Sequence, residues 1–232
     1  MPSRAIFNIL GLFGIIFLVI TTNSYAGSPD MKIKLTPDRL EGKSLSLLLK
    51  ERYSCRNFQD KVLKLENISA LLWAACGKKH DSLTGASRTI PSAGATYPLE
   101  LYLVTGENSV KGLHAGVYHY LIDEHALEVI IKGDERERLM RACLGQDSIY
   151  AAPASLVIAA RFVNTTGRYG ARGERYVHME AGHAGQNIYL ACVNMGLATC
   201  EVGAFDDEAV RSVINSNKDL VPLLIMPVGS PE

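Results

Sequence analysis

Strands and helices alternate irregularly along this 232-residue sequence, which predicts an α+β fold with a central mixed, mainly antiparallel sheet flanked by helices. Three observations carry that prediction. Residues 116–122 and 127–132 are two strand-like runs joined by Asp123 to Ala126, the pattern of a β-hairpin. Residues 154–162, ASLVIAARF, are nearly continuously apolar, as in a central strand covered on both faces. A long helical periodicity runs from about Arg175 to Met195, yet no GxGxxG or P-loop fingerprint accompanies it, which argues against a regular Rossmann fold.

The elements follow in order. Residues 27–43, with Pro29 and Pro37, read as a polar N-terminal arm before a single domain at 44–232. Ser44 to Tyr53 reads as a short helix carrying Leu45, Leu47, Leu48 and Leu49. Leu65 to Cys76 reads as a second helix, ended by Gly77 as its C-cap. A loop rich in Ser, Thr, Gly and Ala covers 78–96 and closes at Pro98, before a strand at Leu99 to Thr105. The hairpin comes next, then a charged amphipathic helix from Asp134 to about Leu144, then the apolar strand. In the long helix Tyr176, Met179, His183, Gln186, Ile188, Tyr189 and Cys192 recur at near-helical spacing. Gly182 and Gly185 each cost about 1 kcal/mol there against alanine, so close packing by a helix or a ligand is expected. A strand at Leu197 to Ala204, a helix capped by Asp206 and a strand at Leu220 to Val228 complete the chain.

Lysine plus arginine equals aspartate plus glutamate, 24 each, so no long-range field draws the chain to nucleic acid. The first 26 residues carry Arg4 as their one charge, then an apolar run from Ala5 to Ile20, then Ser24-Tyr25-Ala26. That three-part form is a signal peptide cleaved after Ala26, with export to the periplasm or outside. The alternative is a membrane anchor, though the run is short of the roughly 20 apolar residues a span needs. Five widely spaced cysteines, none in a CxxC, read as buried free thiols. His178 and His183 are five apart and diverge on a helix, so no metal site is expected from them.

Three segments carry the chemistry. In Glu51-Arg-Tyr-Ser-Cys-Arg-Asn-Phe58, an extended backbone aims Arg52, Ser54 and Arg56 to one side. Two guanidiniums and a hydroxyl suit a phosphate monoester. In Pro91-Ser-Ala-Gly-Ala-Thr-Tyr-Pro98, small residues let backbone amides approach a flat ring. Gly196-Leu-Ala-Thr-Cys-Glu-Val-Gly-Ala-Phe205 offers a second thin wall. Singly, each is equally a solvated helix end or a plain turn. Together they suggest a phosphate clamp and two walls around an aromatic cofactor.

These stretches resemble a known family. RYSCRNF is similar to the arginine-serine opening of the nitroreductase superfamily. PSAGATYPLELYLV, GVYHYLIDEHALEVI and RYVHMEAGHAGQNIYLACVNMGLATCEVGAFDD resemble the flavin loop, hairpin and long helix of its SagB/ThcOx-type dehydrogenase branch. The resemblance runs from about Leu45 onward.

It implies a nitroreductase-like fold in an intertwined homodimer, FMN held at the subunit interface, and hydride transfer between flavin N5 and a small organic substrate. Arg52, Ser54 and Arg56 would hold the phosphate and ribityl chain. Pro91, Ser92, Ala93 and Gly94 would approach the flavin from one side, and Val202, Gly203 and Ala204 would pass near N5. The glycines of the long helix would serve dimer packing. The sequence departs from the pattern twice. Where relatives place a basic residue after the last strand, it reads Ser230-Pro231-Glu232, so weaker FMN binding is expected. Where azoline-oxidising relatives carry Lys-Tyr, it has Arg168-Tyr169. Arginine is a poor general base, which leaves Tyr169 as the candidate catalytic group, with a surface loop as the alternative. An exported enzyme would lack soluble NAD(P)H, so the electron donor or acceptor is unknown.

Overall fold

The computed structural model describes residues 32–36, 40, 42–80 and 87–232; the expected signal peptide lies outside them. Among the described residues no helix is long and apolar enough to cross a membrane. Seven strands of the described residues make the main sheet: β1 (Lys32–Lys34), β2 (Leu99–Thr105), β3 (Gly116–Leu121), β4 (Ala126–Lys132), β5 (Ala154–Ala160), β6 (Ala198–Thr199) and β7 (Val221–Gly229). Their spatial order is β1-β4-β3-β2-β5-β7-β6, and each neighbouring pair is antiparallel. Parallel pairing enters at the margins, between 63–64 and 110–111 and at the bridge of Ser54 to Thr199. The expected α+β sheet flanked by helices is thus observed.

Alternation and apolar runs explain who sits where. All seven residues of β5 are buried, as a strand between two covered faces requires. On one face α2 (Leu65–Cys76) and α6 (Arg172–Asn194) bury Ile68, Leu71, Leu72, Val177, Ala181, Ala184 and Ile188 against Leu101, Leu103, Leu156 and Ile158. On the other, α3 (Arg136–Ala142), α4 (Asp147–Ala151) and α7 (Asp207–Val213) cover Val104, Val157 and Ile225. Asp206 caps α7 as expected, accepting from the Ala209 amide at 2.7 Å. All five cysteines are free and buried, and burial pushes the Cys76 thiol up to about 12.

Several expectations need correction. The polar arm is not all arm: 32–34 forms β1, paired with β4 and fixed by Leu35 N donating to His125 O at 2.9 Å. The helices α4 and α5 (Phe162–Tyr169) lie where no helix was expected. Residues 197–204 are not a continuous strand; only 198–199 pair with β7, and Val202 returns by a bridge to Ile225. Gly77 does end α2, but in an extended conformation where a Cβ would collide with Trp73. Gly185 packs against Glu201 and Leu224 of its own chain, whereas Gly182 has no heavy atom within 4 Å of where a Cβ would stand.

Candidate active site

The phosphate-clamp segment is set by a helix end. Ser44 caps α1 (Leu45–Glu51), and Arg52 leaves it in extended conformation, φ −64° and ψ 125°. From there the chain runs along the sheet margin. Cys55 N donates to Thr199 O at 2.9 Å, Gln59 N donates to Ser230 O at 2.9 Å, and Phe58 bridges Pro231. Cys55 and Phe58 turn inward onto Ala152 and Ala198, which leaves Ser54 and Arg56 exposed and Arg52 half-buried. Arg52 stacks over the Tyr189 ring, 5.2 Å from its centroid. Neither Arg52 nor Arg56 has a carboxylate partner among the described residues. A cavity of about 300 Å³ opens beside Arg56, lined by Tyr53, Ser54, Cys55, Arg56, Asn57 and Glu232.

The 202–204 wall adjoins the clamp. Val202 is buried and exchanges both backbone hydrogen bonds with Ile225, at 2.8 and 3.0 Å. That pairing turns Glu201 and Gly203 to the other side, where both are exposed; Ala204 is exposed too and its carbonyl accepts from Gln146 at 3.1 Å. No heavy atom lies within 4 Å of a Cβ built on Gly203, so the wall is thin there. Although Glu201 is exposed overall, partial desolvation of its carboxyl raises it above its ordinary value.

The 91–98 loop is a strained turn held from several sides. Gly94, Ala95 and Tyr97 have φ of 60°, 54° and 44°. For a non-glycine residue that region costs about 1–2 kcal/mol, so the surroundings must impose it. They do: Tyr97 N donates to Ser92 Oγ at 2.9 Å, Thr96 meets Thr165 at 2.8 Å, and Arg168 Nη1 donates to Gly94 O at 3.0 Å. A Cβ on Gly94 would collide with the Tyr169 hydroxyl. Arg168 and Tyr169 are therefore the C-terminal turn of α5 packed on this loop, not a surface loop. Beneath it the Ser92 hydroxyl faces Glu180, a buried carboxyl on α6 that burial pushes up to about 7.

The helix α6 relates the parts. At 3.6 residues per turn, Glu180 and Tyr189 lie about two and a half turns apart and so face opposite ways. Val177, Ala181, Ala184 and Ile188 fill the buried arc between them. The loop 91–94, with Tyr169, sits at the Glu180 edge. Arg52 and Ser54 and the 202–204 wall sit at the Tyr189 edge. Within one chain Arg52, Ser54 and the 202–204 segment thus gather at one edge of α6, and the 91–94 loop lies at the other. Sequence reasoning places Tyr189 only on a helix face and Glu201 only within the 196–205 segment, and it misses Glu180. The available signal for Glu180 was an acid on the same face as Val177, Ala181 and Ala184. Among the described residues no cluster of metal-ligating side chains is present.

The family model described as the nitroreductase family matches residues 49–230, and the chain belongs to that family. It is 42% identical over 199 residues to MJ1384, a nitroreductase-type protein of Methanocaldococcus jannaschii, covering 86% of this chain and 96% of that one. It is 30% identical over 179 residues to the microcin B17-processing protein McbC of Escherichia coli, covering 75% of this chain and 65% of McbC. Its fold matches the crystal structure of a nitroreductase-type protein from Ralstonia eutropha with a TM-score of 0.74, at 30% identity over 87% of this chain and 90% of that one. It also matches a chain of the E. coli microcin synthetase McbBCD complex with a TM-score of 0.66, at 25% identity over 99% of this chain and 79% of that one. The similarity to McbC fits the SagB/ThcOx-type branch.

Proposed function

We propose that the chain is an FMN-dependent oxidoreductase working as a homodimer, in which the clamp and 202–204 wall of one copy face the 91–94 loop of the other. The observation that carries this reading is the placement of the two halves at opposite edges of α6. A second copy can bring them together; exposed apolar surface is available for it. Helix α1 buries none of its residues, with Leu45, Leu47 and Leu49 exposed, and Met179 and Gly182 lie bare on α6. Burying each such leucine would stabilise the pair by roughly 1.5–3 kcal/mol.

The residues fit the cofactor. Arg52 and Arg56 are cations without carboxylate partners among the described residues, flanking the Ser54 hydroxyl, which is the donor set a phosphate monoester takes. Gly203 leaves room for a ring edge. FMN, when bound, supplies the redox chemistry, accepting or giving hydride at N5. The protein's share is to grip the phosphate through Arg52, Ser54 and Arg56, to shape the ring site with Pro91, Ser92, Ala93 and Gly94 and with Val202, Gly203 and Ala204, and to offer the Tyr169 hydroxyl for proton transfer to a small organic substrate. The N-terminal apolar segment supports export and a donor or acceptor other than soluble NAD(P)H. Purified protein mixed with FMN and desalted should keep a yellow flavin band. A colourless, folded dimer would sink the enzyme reading in favour of a binding role.

A second reading is oxidation of azolines in a modified peptide, favoured by the likeness to McbC and to the trifolitoxin-processing protein TfxB of Rhizobium leguminosarum bv. trifolii, to which the chain is 30% identical over 131 residues, 35% of TfxB. Arg168 stands against it, because its guanidinium is engaged with Gly94 O rather than available as a base. Conversion of an azoline peptide by the flavin-loaded protein, lost in Tyr169→Phe, would favour it over the first.

A further inference from the structure

We propose that Tyr189 is a positioning residue for the phosphate clamp, orienting both Ser54 and Arg52 from the core side of α6. The inference rests on the flavin reading above and deepens it. Tyr189 is 7% exposed, and its ring belongs to the main core beside Ile188 and Cys192. A phenylalanine would fill that space equally well, so the hydroxyl is explained by the bonds it makes. It has two, both to segments of the site: the Glu201 amide donates to it at 2.8 Å, and it meets Ser54 Oγ at 2.9 Å.

The order of donors follows from the amide. The Glu201 N–H makes the tyrosine oxygen an acceptor, and among the described residues Ser54 Oγ is the remaining hydrogen-bond partner of the hydroxyl, so the arrangement that uses the tyrosine's own proton directs it to Ser54. Ser54 then accepts from below and keeps its own hydroxyl proton for an anion on the exposed side. An amide donating to a hydroxyl that itself donates onward strengthens both bonds. The same ring holds the Arg52 guanidinium over its face, 5.2 Å from the centroid, which keeps the arginine beside Ser54 instead of extended into water. The 202–204 wall does not depend on Tyr189, since Val202 is held independently by its paired bonds to Ile225. Loss of the hydroxyl should therefore reach the phosphate end of the ligand and spare the ring end.

The test is a fluorescence titration of the full protein with FMN and, separately, with riboflavin, which has the same ring and no phosphate. Tyr189→Phe should weaken FMN by about tenfold, the upper range for one hydrogen bond, while riboflavin affinity stays within about twofold. Ser54→Ala removes the same bond from the exposed side without touching the core. In that background Tyr189→Phe should weaken FMN no further, because the Tyr189–Ser54 bond through which the hydroxyl reaches the phosphate is already gone. Equal losses for FMN and riboflavin would mean that Tyr189 only supports the fold, and would overturn the proposal. So would unchanged FMN binding in a Tyr189→Phe protein with wild-type circular dichroism. If the wild-type chain itself holds neither flavin, the flavin reading falls and takes this one with it.

Discussion

The two edges of α6 solve different problems. At the Tyr189 edge the backbone is plain extended chain, and the site's character comes from side chains: a hydroxyl and two guanidiniums that have no carboxylate partner among the described residues. At the Glu180 edge the side chains are small, and the character comes from backbone: three residues at positive φ, pinned by Thr165, Arg168 and Tyr169 over a buried acid. A charged phosphate needs matching charge and tolerates solvent, whereas a flat ring needs a surface of fixed shape. One helix carries both, and its half-turn offset is the reason for proposing that a second copy completes the site.

The largest effect should come from the charged edge. Arg52→Ala with Arg56→Ala should weaken FMN at least a hundredfold, given about 1.5–3 kcal/mol for each hydrogen bond to a charged group. Circular dichroism should be unchanged, because neither side chain is fully buried. A fall of tenfold or less in a flavin titration would place the phosphate elsewhere.

The shaped edge should respond in stability as well as binding. Gly94→Val puts a branched side chain at φ 60° and against the Tyr169 hydroxyl. A loss of about 2 kcal/mol or more is expected, lowering Tm by at least ~4 °C in a domain of this size. Flavin retention should fall too, although no charge changes. A variant with unaltered Tm would show that the loop is not held as described.

Glu180 gives this edge a pH signature. Its folded pKa, about 7, lies above the ordinary 4.5. The folded state therefore binds the proton more tightly, and its contribution is fully present below pH 4.5 and lost as pH rises through 7. Unfolding by urea should show wild-type stability falling across that window by a few kcal/mol at most. Glu180→Gln should flatten this slope; an unchanged slope would assign it to another group.

The smallest effect belongs to the rim of the clamp. Glu232 lines the cavity beside Arg56 and places an acid there. Glu232→Lys should tighten FMN by about two- to fivefold at low salt and less at high salt, as befits an exposed charge. Weaker binding would mean that the phosphate does not sit in this cavity.

The fold was largely legible because its main elements carry unambiguous patterns. Helix 65–76 and strand 99–105 match the sequence expectation at both ends, since apolar periodicity and flanking Gly77 and Pro98 mark them. Helix α5 was not legible: Asn164, Thr165, Thr166 and Gly167 are weak helix formers, and packing on α6, where Gly173 lets the two backbones approach closely, holds it. Residues 197–204 misled because an apolar, small-residue run says nothing about which residues find a partner strand. In the site, Arg52, Ser54 and Arg56 could be read from their alternation, but Tyr189 could not. A buried tyrosine looks the same in sequence whether its hydroxyl is incidental or makes the bonds that set a clamp.

If each site is built from two chains, two differently damaged chains should complement each other. One chain would carry Arg52→Ala with Arg56→Ala, the other Gly94→Val, each binding little flavin alone. Mixed and refolded together, heterodimers contain one site with both halves intact and one with both damaged. The account predicts recovered flavin, up to one FMN per heterodimer, measured by absorbance after desalting. No recovery in mixtures verified to contain folded heterodimers, or FMN retained by a wild-type monomer, would contradict it.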